Sequence, residues 1–190
     1  MPVRSVVVIG ASAGGLEVLK GIVRDLEPGL HAAFFVVVHL SPTPPSRLPE
    51  ILARSASYPA VAVDGREAIE EGRIYVAPAD RHLILDAESV LTSKAPRENR
   101  NRPSIDVLFR SAAVAYGART IGVVLSGRLA DGTAGLLTIK DRHGCAIVQD
   151  PAEALFPAMP ASAIAHVDVD RILAGGRIAA GIAEIVNAAA

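Results

Sequence analysis

The chain alternates short, wholly apolar segments with longer stretches in which apolar residues recur every three or four positions. The first apolar segment is Ser5-Val6-Val7-Val8-Ile9. It carries no polar alternation, which predicts a strand buried on both faces, as in a parallel sheet. A glycine-rich turn comes next, then an amphipathic helix over 15–26 with Leu16, Leu19, Ile22 and Val23 on one face. Pro28-Gly29 ends that helix. A second buried strand is predicted over 33–38, then a Pro-rich loop over 41–45 and a short helix over 48–53.

Residues 73–77 and 82–86 read as strands, and Asp86-Ala87-Glu88-Ser89 reads as a hairpin turn leading into Val90-Leu91-Thr92. The polar stretch 93–102 is the longest loop candidate. A helix capped by Ser104 runs to Tyr116. An apolar strand over 120–125 leads through a glycine-rich loop to Asp131-Gly132, and a helix continues to Arg142, with Gly144 placed to stop it. Residues 145–149 form the next strand, and the alanine-rich remainder reads as two helices. Buried strands alternating with helices predict an α/β fold: a doubly wound, mostly parallel sheet with helices on both faces and an antiparallel hairpin at one edge. The 190 residues suit one domain spanning 1–190.

Composition narrows the function classes. Hydrophobic residues make up 51% of the chain, which excludes disorder. The 19 basic and 20 acidic residues nearly cancel, leaving no electrostatic footprint for nucleic acid or an acidic membrane surface. Aromatics are 4% and Trp is absent, so base-stacking platforms are not expected either. The longest apolar run, 32–38, is too short to span a bilayer, which takes about 20 residues. No signal peptide is visible, and the single cysteine, Cys145, rules out an intrachain disulfide. A cytoplasmic protein is expected, with Cys145 a buried, inert thiol.

In open sheets of this kind ligands sit beyond the carboxyl ends of the strands. Reactive side chains stand just after three of them. The first strand ends in Gly10-Ala11-Ser12-Ala13-Gly14-Gly15, the second in His39, and the strand over 120–125 runs into Ser126-Gly127-Arg128-Leu129-Ala130-Asp131-Gly132. These supply a nucleophile, a general base and an orienting carboxylate. Gly10-x-Ser12-x-Gly14 also fits a nucleophile elbow, with the positive end of the next helix close by. The same turn suits a dinucleotide or phosphate. Against that, Ser12 replaces the middle glycine, and His39 stands where an acid would bind the ribose. Asp150 also comes after a strand, and spacing does not separate it from Asp131. His31, His82, His143 and His166 lie in no such pattern, and no metal-ligand spacing or cofactor motif stands out.

The ordered motifs resemble the catalytic domain of the CheB protein-glutamate methylesterases. Gly10 to Gly15 resembles the nucleophile motif, and Val37-Val38-His39 the histidine segment. Val76-Ala77-Pro78-Ala79-Asp80-Arg81-His82-Leu83 and Asn101-Arg102-Pro103-Ser104-Ile105-Asp106-Val107-Leu108-Phe109 match two middle motifs. Leu125-Ser126-Gly127 with Ala130-Asp131-Gly132 resembles the aspartate loop, and Met159-Pro160 a late element. The resemblance implies a Ser12–His39–Asp131 triad, with the backbone N–H groups of Ala13 and Arg128 as oxyanion donors and no cofactor. It implies hydrolysis of glutamyl methyl esters on chemoreceptors, with glutamine deamidation beside it. Methylated chemoreceptors are the implied partners. A non-catalytic relative that docks to receptors or to a partner methyltransferase is the other reading within the family. Three departures stand out. Ala13 replaces a common Thr, and the aspartate loop reads Gly-Arg-Leu-Ala-Asp-Gly in place of Gly-Met-Gly-Asn-Asp-Gly. The chain also starts directly at the catalytic strand, without the receiver domain of two-domain members, as a stand-alone relative or a piece of a longer protein.

Overall fold

The computed structural model describes residues 5–39 and 47–189, so the loop expected over 41–45 lies outside the described residues. In chain order the elements are β1 (Ser5–Ala11), α1 (Gly15–Asp25), β2 (Ala32–Val38), α2 (Leu48–Ala53), β3 (Ala60–Ala62) and β4 (Arg66–Ala68). Then come β5 (Ile74–Val76), β6 (His82–Leu85), β7 (Ser89–Ser93), α3 (Ile105–Tyr116) and β8 (Thr120–Val124). The chain finishes with α4 (Thr133–Asp141), β9 (Cys145–Gln149), α5 (Ala158–His166), β10 (Arg171–Leu173) and α6 (Ile178–Ala188).

Seven strands form one sheet in the order β10-β9-β8-β1-β2-β5-β3, and each neighbouring pair is parallel. Side chains of β1 alternate between two cores, as strand geometry requires. Val7, Ile9 and Ala11 pack with Leu19 and Ile22 of α1, Leu52 of α2 and Ile182 of α6. Val6 and Val8 pack with Leu108 and Phe109 of α3, Leu136 of α4 and Ala163 of α5. The crossover from β1 to β2 runs one way along the sheet, and that from β8 to β9 runs the other way. Right-handed crossovers therefore place α1 and α4 on opposite faces. The strand order reverses between β1 and β8, and a crevice opens at that point at the carboxyl edge.

The expected hairpin is present, with β6 and β7 antiparallel, but it joins β4 in a separate three-stranded sheet rather than extending the main one. Leu83, Leu85 and Val90 pack that sheet into the same core as α3. Strands β3, β4 and β10 have no counterpart among the expected elements, because three residues on a sheet margin carry no readable period. Helix α4 ends at a left-handed His143, φ 64°, rather than at Gly144. Cys145 is half-buried at the start of β9, where burial and the neighbouring Asp170 raise its thiol pKa. It is thus less enclosed than expected.

Candidate active site at the carboxyl edge

Parallel pairing sets Ser12 beside His39. Ala11 is in register with Val38, and the His39 N–H donates to the Ala11 carbonyl at 3.0 Å, so the two chains leave the sheet together. Ser12 is half-buried. Its carbonyl accepts the Gly15 N–H at 3.0 Å as α1 begins, which puts the turn at the positive end of that helix.

The loop after β8 braces this turn. Ser12 N–H donates to Ser126 O at 3.0 Å, and the buried Ser126 hydroxyl donates to Ala13 O at 2.9 Å and accepts the Phe156 N–H at 3.0 Å. Gln149, also buried, accepts the Ser126 N–H at 2.8 Å. Gly127 exchanges backbone bonds with Phe156 and Met159. A Cβ on Gly127 would stand 2.0 Å from Met159 Sδ and 2.8 Å from Ser12 Cβ, so no other residue fits without displacing one of them. Met159-Pro160 thereby finds its place as the outer wall of the serine turn. The Arg128 guanidinium lies over the Phe156 ring, 4.7 Å from its centroid. Among the described residues, no backbone hydrogen bond occupies the N–H of Ala13 or Arg128.

Asp131 comes back from this loop to His39. The His39 Nε2–H donates to Asp131 Oδ2 at 2.8 Å, with 12% of the histidine side chain and 2% of the aspartate side chain exposed. The same carboxylate accepts the Ser104 hydroxyl at 2.9 Å, the Ile105 N–H at 2.9 Å, the Asp106 N–H at 3.1 Å and the Asn99 side-chain N–H at 2.8 Å. Burial pushes the Asp131 carboxyl upward, but hydrogen bonds from His39, the Ile105 amide and Asn99 outweigh it and leave the pKa at about 2. Ser104 does not cap α3 with its own side chain; it gives its hydroxyl to Asp131, whose carboxylate takes the first free amides of the helix.

Three further residues shape the site, and sequence reasoning assigned them no role in it. Asn99 bridges Asp131 to Asp106, a buried carboxylate whose pKa is raised, chiefly by burial. His82 is buried, accepts the Ser104 N–H on Nδ1 at 3.2 Å and donates from Nε2 to Pro96 O at 3.0 Å. Those two bonds require the neutral ring with its proton on Nε2. The motif spanning 101–109 is the only sequence signal for Asp106, and none marks Asn99. A cavity of about 220 Å³ opens beside Asp131, lined by Asn99, Arg100, Asn101, Leu129 and Ala130.

The remaining candidates lie apart from this cluster. Asp150 Oδ1 accepts the Ala152 N–H at 2.9 Å in a turn, so of the two aspartates Asp131 is the one bonded to His39. His31 pairs with Glu71 and His166 bonds Ser162 O, both in exposed positions. The serine turn is closely packed on its Gly14 side: a Cβ on Gly14 would stand 2.8 Å from Leu155 Cβ and 3.0 Å from Ser126 Oγ.

Known proteins similar to this chain share one family and one fold. The sequence profile of the CheB methylesterase family matches residues 7–182. A putative protein-glutamate methylesterase/protein-glutamine glutaminase of Leptospira interrogans is 37% identical over 174 residues, covering 91% of this chain and 90% of its own length. A protein-glutamate methylesterase/protein-glutamine glutaminase of Photorhabdus laumondii is 36% identical over 171 residues, 88% of this chain and 49% of that protein. The crystal structure of the Thermotoga maritima CheB methylesterase catalytic domain superposes with a TM-score of 0.90 at 30% identity, covering 95% of this chain and 98% of that one.

Proposed function

The chain belongs to the CheB methylesterase family, and from that premise we propose that it removes methyl esters from glutamyl side chains of chemoreceptors, with Ser12, His39 and Asp131 as its triad. The observation that carries the assignment of residues is the 2.8 Å bond between His39 and Asp131, at the strand end that Ser12 shares. Because Asp131 takes the Nε2–H, the lone pair on Nδ1 is the one left to receive the Ser12 proton. Ser12 Oγ attacks the ester carbonyl as His39 takes that proton. The tetrahedral oxyanion is stabilised by the N–H groups of Ala13 and Arg128 and by the positive end of α1. His39 then protonates the departing methoxide, releasing methanol. Water attacks the glutamyl ester of Ser12, giving its proton to His39, and the carboxylate product leaves as Ser12 is reprotonated. A glutamine side chain taking the same path would release ammonia, which matches the double name of the Photorhabdus relative.

Residues 1–190 act in this reading as one catalytic domain. Among the described residues no helix is long and apolar enough to cross a membrane. The enzyme of this reading meets its receptors from the cytoplasm. A fluorophosphonate probe tests the reading: it is expected to label the chain, and Ser12→Ala is expected to abolish labelling. Ser12→Ala and His39→Ala should each lower hydrolysis of methylated receptor by several orders of magnitude, and the double variant should be no slower than the worse single one. A folded chain that neither labels nor hydrolyses methyl esters would instead be a non-catalytic docking relative.

A further inference from the structure

We infer that Asn99 is a positioning residue, whose single side-chain NH2 group ties Asp131 to a second buried carboxylate, Asp106, and so holds Asp131 against His39. The inference rests on the reading of Asp131 as the orienting carboxylate. Asn99 Nδ2 lies 2.8 Å from Asp131 Oδ1 and 2.7 Å from Asp106 Oδ2. An NH2 group has two hydrogens, and this placement uses both. The amide has one tenable orientation, because its oxygen in the same place would face two carboxylates. The other Asp106 oxygen accepts the Gly132 N–H at 3.0 Å and the Gly135 N–H at 2.6 Å, at the start of α4. Asp106 is therefore fixed to the element just beyond Asp131, and Asn99 joins the two.

The backbone is shaped for this task. Glu98 and Asn101 exchange N–H···O bonds of 3.1 and 2.8 Å, enclosing a two-residue turn in which Asn99 and Arg100 have φ of 51° and 66°. Turns with both central residues left-handed favour Asn at the first position. The Asn101 side chain bonds Asn99 O, and Glu98 pairs with Arg110 of α3, so the turn is tied down on two sides. Left-handed backbone at a non-glycine residue such as Arg100 stores strain, and such strain gathers where a side chain must be held in place. Around Asn99 the charged and titratable groups are Asp106, Asp131 with His39 beyond it, the Glu98–Arg110 pair and Arg100.

Three variants of the full chain separate positioning from mere structure. Asn99→Gly removes the amide yet keeps left-handed backbone free of strain. It should lower kcat roughly tenfold to a hundredfold with KM changed less than about threefold. Asn99→Asp puts a third carboxylate in the cluster and should move the acid limb of kcat/KM up by roughly one pH unit or more, by favouring protonation of His39. Asp106→Asn turns an N–H toward Asn99. Its loss in kcat should not add to that of Asn99→Gly, since both break one bridge. A readout independent of catalysis is the downfield imidazole N–H proton resonance that His39→Ala removes. It should be sharp in the parent chain and broadened or shifted in both Asn99 variants. If that resonance and its pH titration are the same in the parent and the Asn99 variants, Asn99 holds nothing in place and the inference fails, whatever the chain hydrolyses. If the resonance changes as expected while the parent hydrolyses no methyl ester, the inference stands and the functional reading falls.

Discussion

Asp131 joins structure and chemistry in one carboxylate. It neutralises the free amides that open α3, and with the same oxygens it fixes the imidazole of His39. Its hydrogen-bonding neighbours His39, Asn99, Ser104, Ile105 and Asp106 all donate to it, so an amide at position 131 would turn one of its own N–H groups toward another donor. Asp131→Asn should therefore reduce kcat by roughly 10³–10⁴, near the loss of about 10⁴ that the equivalent change causes in a serine protease. Asp150→Asn should stay close to the parent, because that side chain serves a turn. Steady-state rates on a methyl ester, with folding checked by thermal melting, decide it: a crippled Asp150→Asn beside an active Asp131→Asn would reassign the carboxylate. Leu129 presents the opposite case. It is 69% exposed and left-handed at φ 65°, so it contributes little burial and carries backbone strain. Leu129→Gly should stabilise the fold by on the order of 1 kcal/mol in urea unfolding.

Between elements, the serine turn depends on the segment packed behind it. Phe156, just before α5, and Met159, in its first turn, together clamp Gly127, and a Cβ on Gly127 would meet Ser12. Gly127→Ala forces Met159 or Ser12 to move, and overpacking of this kind costs roughly 1–3 kcal/mol. It should also depress kcat, because the added methyl presses on the serine turn. Met159→Ala in the same chain should return much of the lost activity by opening room on the far side. If the double variant is as slow as Gly127→Ala alone, the clash with Met159 is not what disables the turn.

The whole chain brings its reactive residues together from distant places: β1, β2, the loop after β8 and the turn before α3 meet at one crevice. Its response to acid is a consequence of that gathering. Asp131 has a folded pKa of about 2, below the usual 3.8, so its contribution to stability is complete above about pH 4 and is lost as pH falls through 2. The size is on the order of 2 kcal/mol. Asp106, raised by burial, works the other way and softens the slope, because protonating it relieves a cost of folding. Urea unfolding at steps from pH 5 to pH 2 should thus fall more steeply in the parent than in Asp131→Asn, and parallel curves would mean that the carboxylate is not specially held.

Strand and helix order were legible in the sequence because short apolar runs such as 6–9 and 145–148, rich in β-branched residues, suit a strand covered on both faces, and Leu19, Ile22 and Val23 fall on one helical face. The places of Ser12 and His39 at the sheet edge were legible for a related reason: in a parallel sheet, the residues just past a buried strand emerge at the ligand-binding edge. Asp131 and Asp150 looked alike, since each merely comes after a strand. The difference lies in a hydrogen bond between residues far apart in the chain, and no local pattern records where a loop folds back. Asn99 and Asp106 were hidden for the same reason. A short polar side chain in a loop and an acid in the first turn of a helix have ordinary local explanations. Their joint hold on Asp131 exists only once α3, α4 and the 98–101 turn are packed against one another, because a hydrogen bond requires atoms within about 3 Å and sequence separation says nothing of that distance.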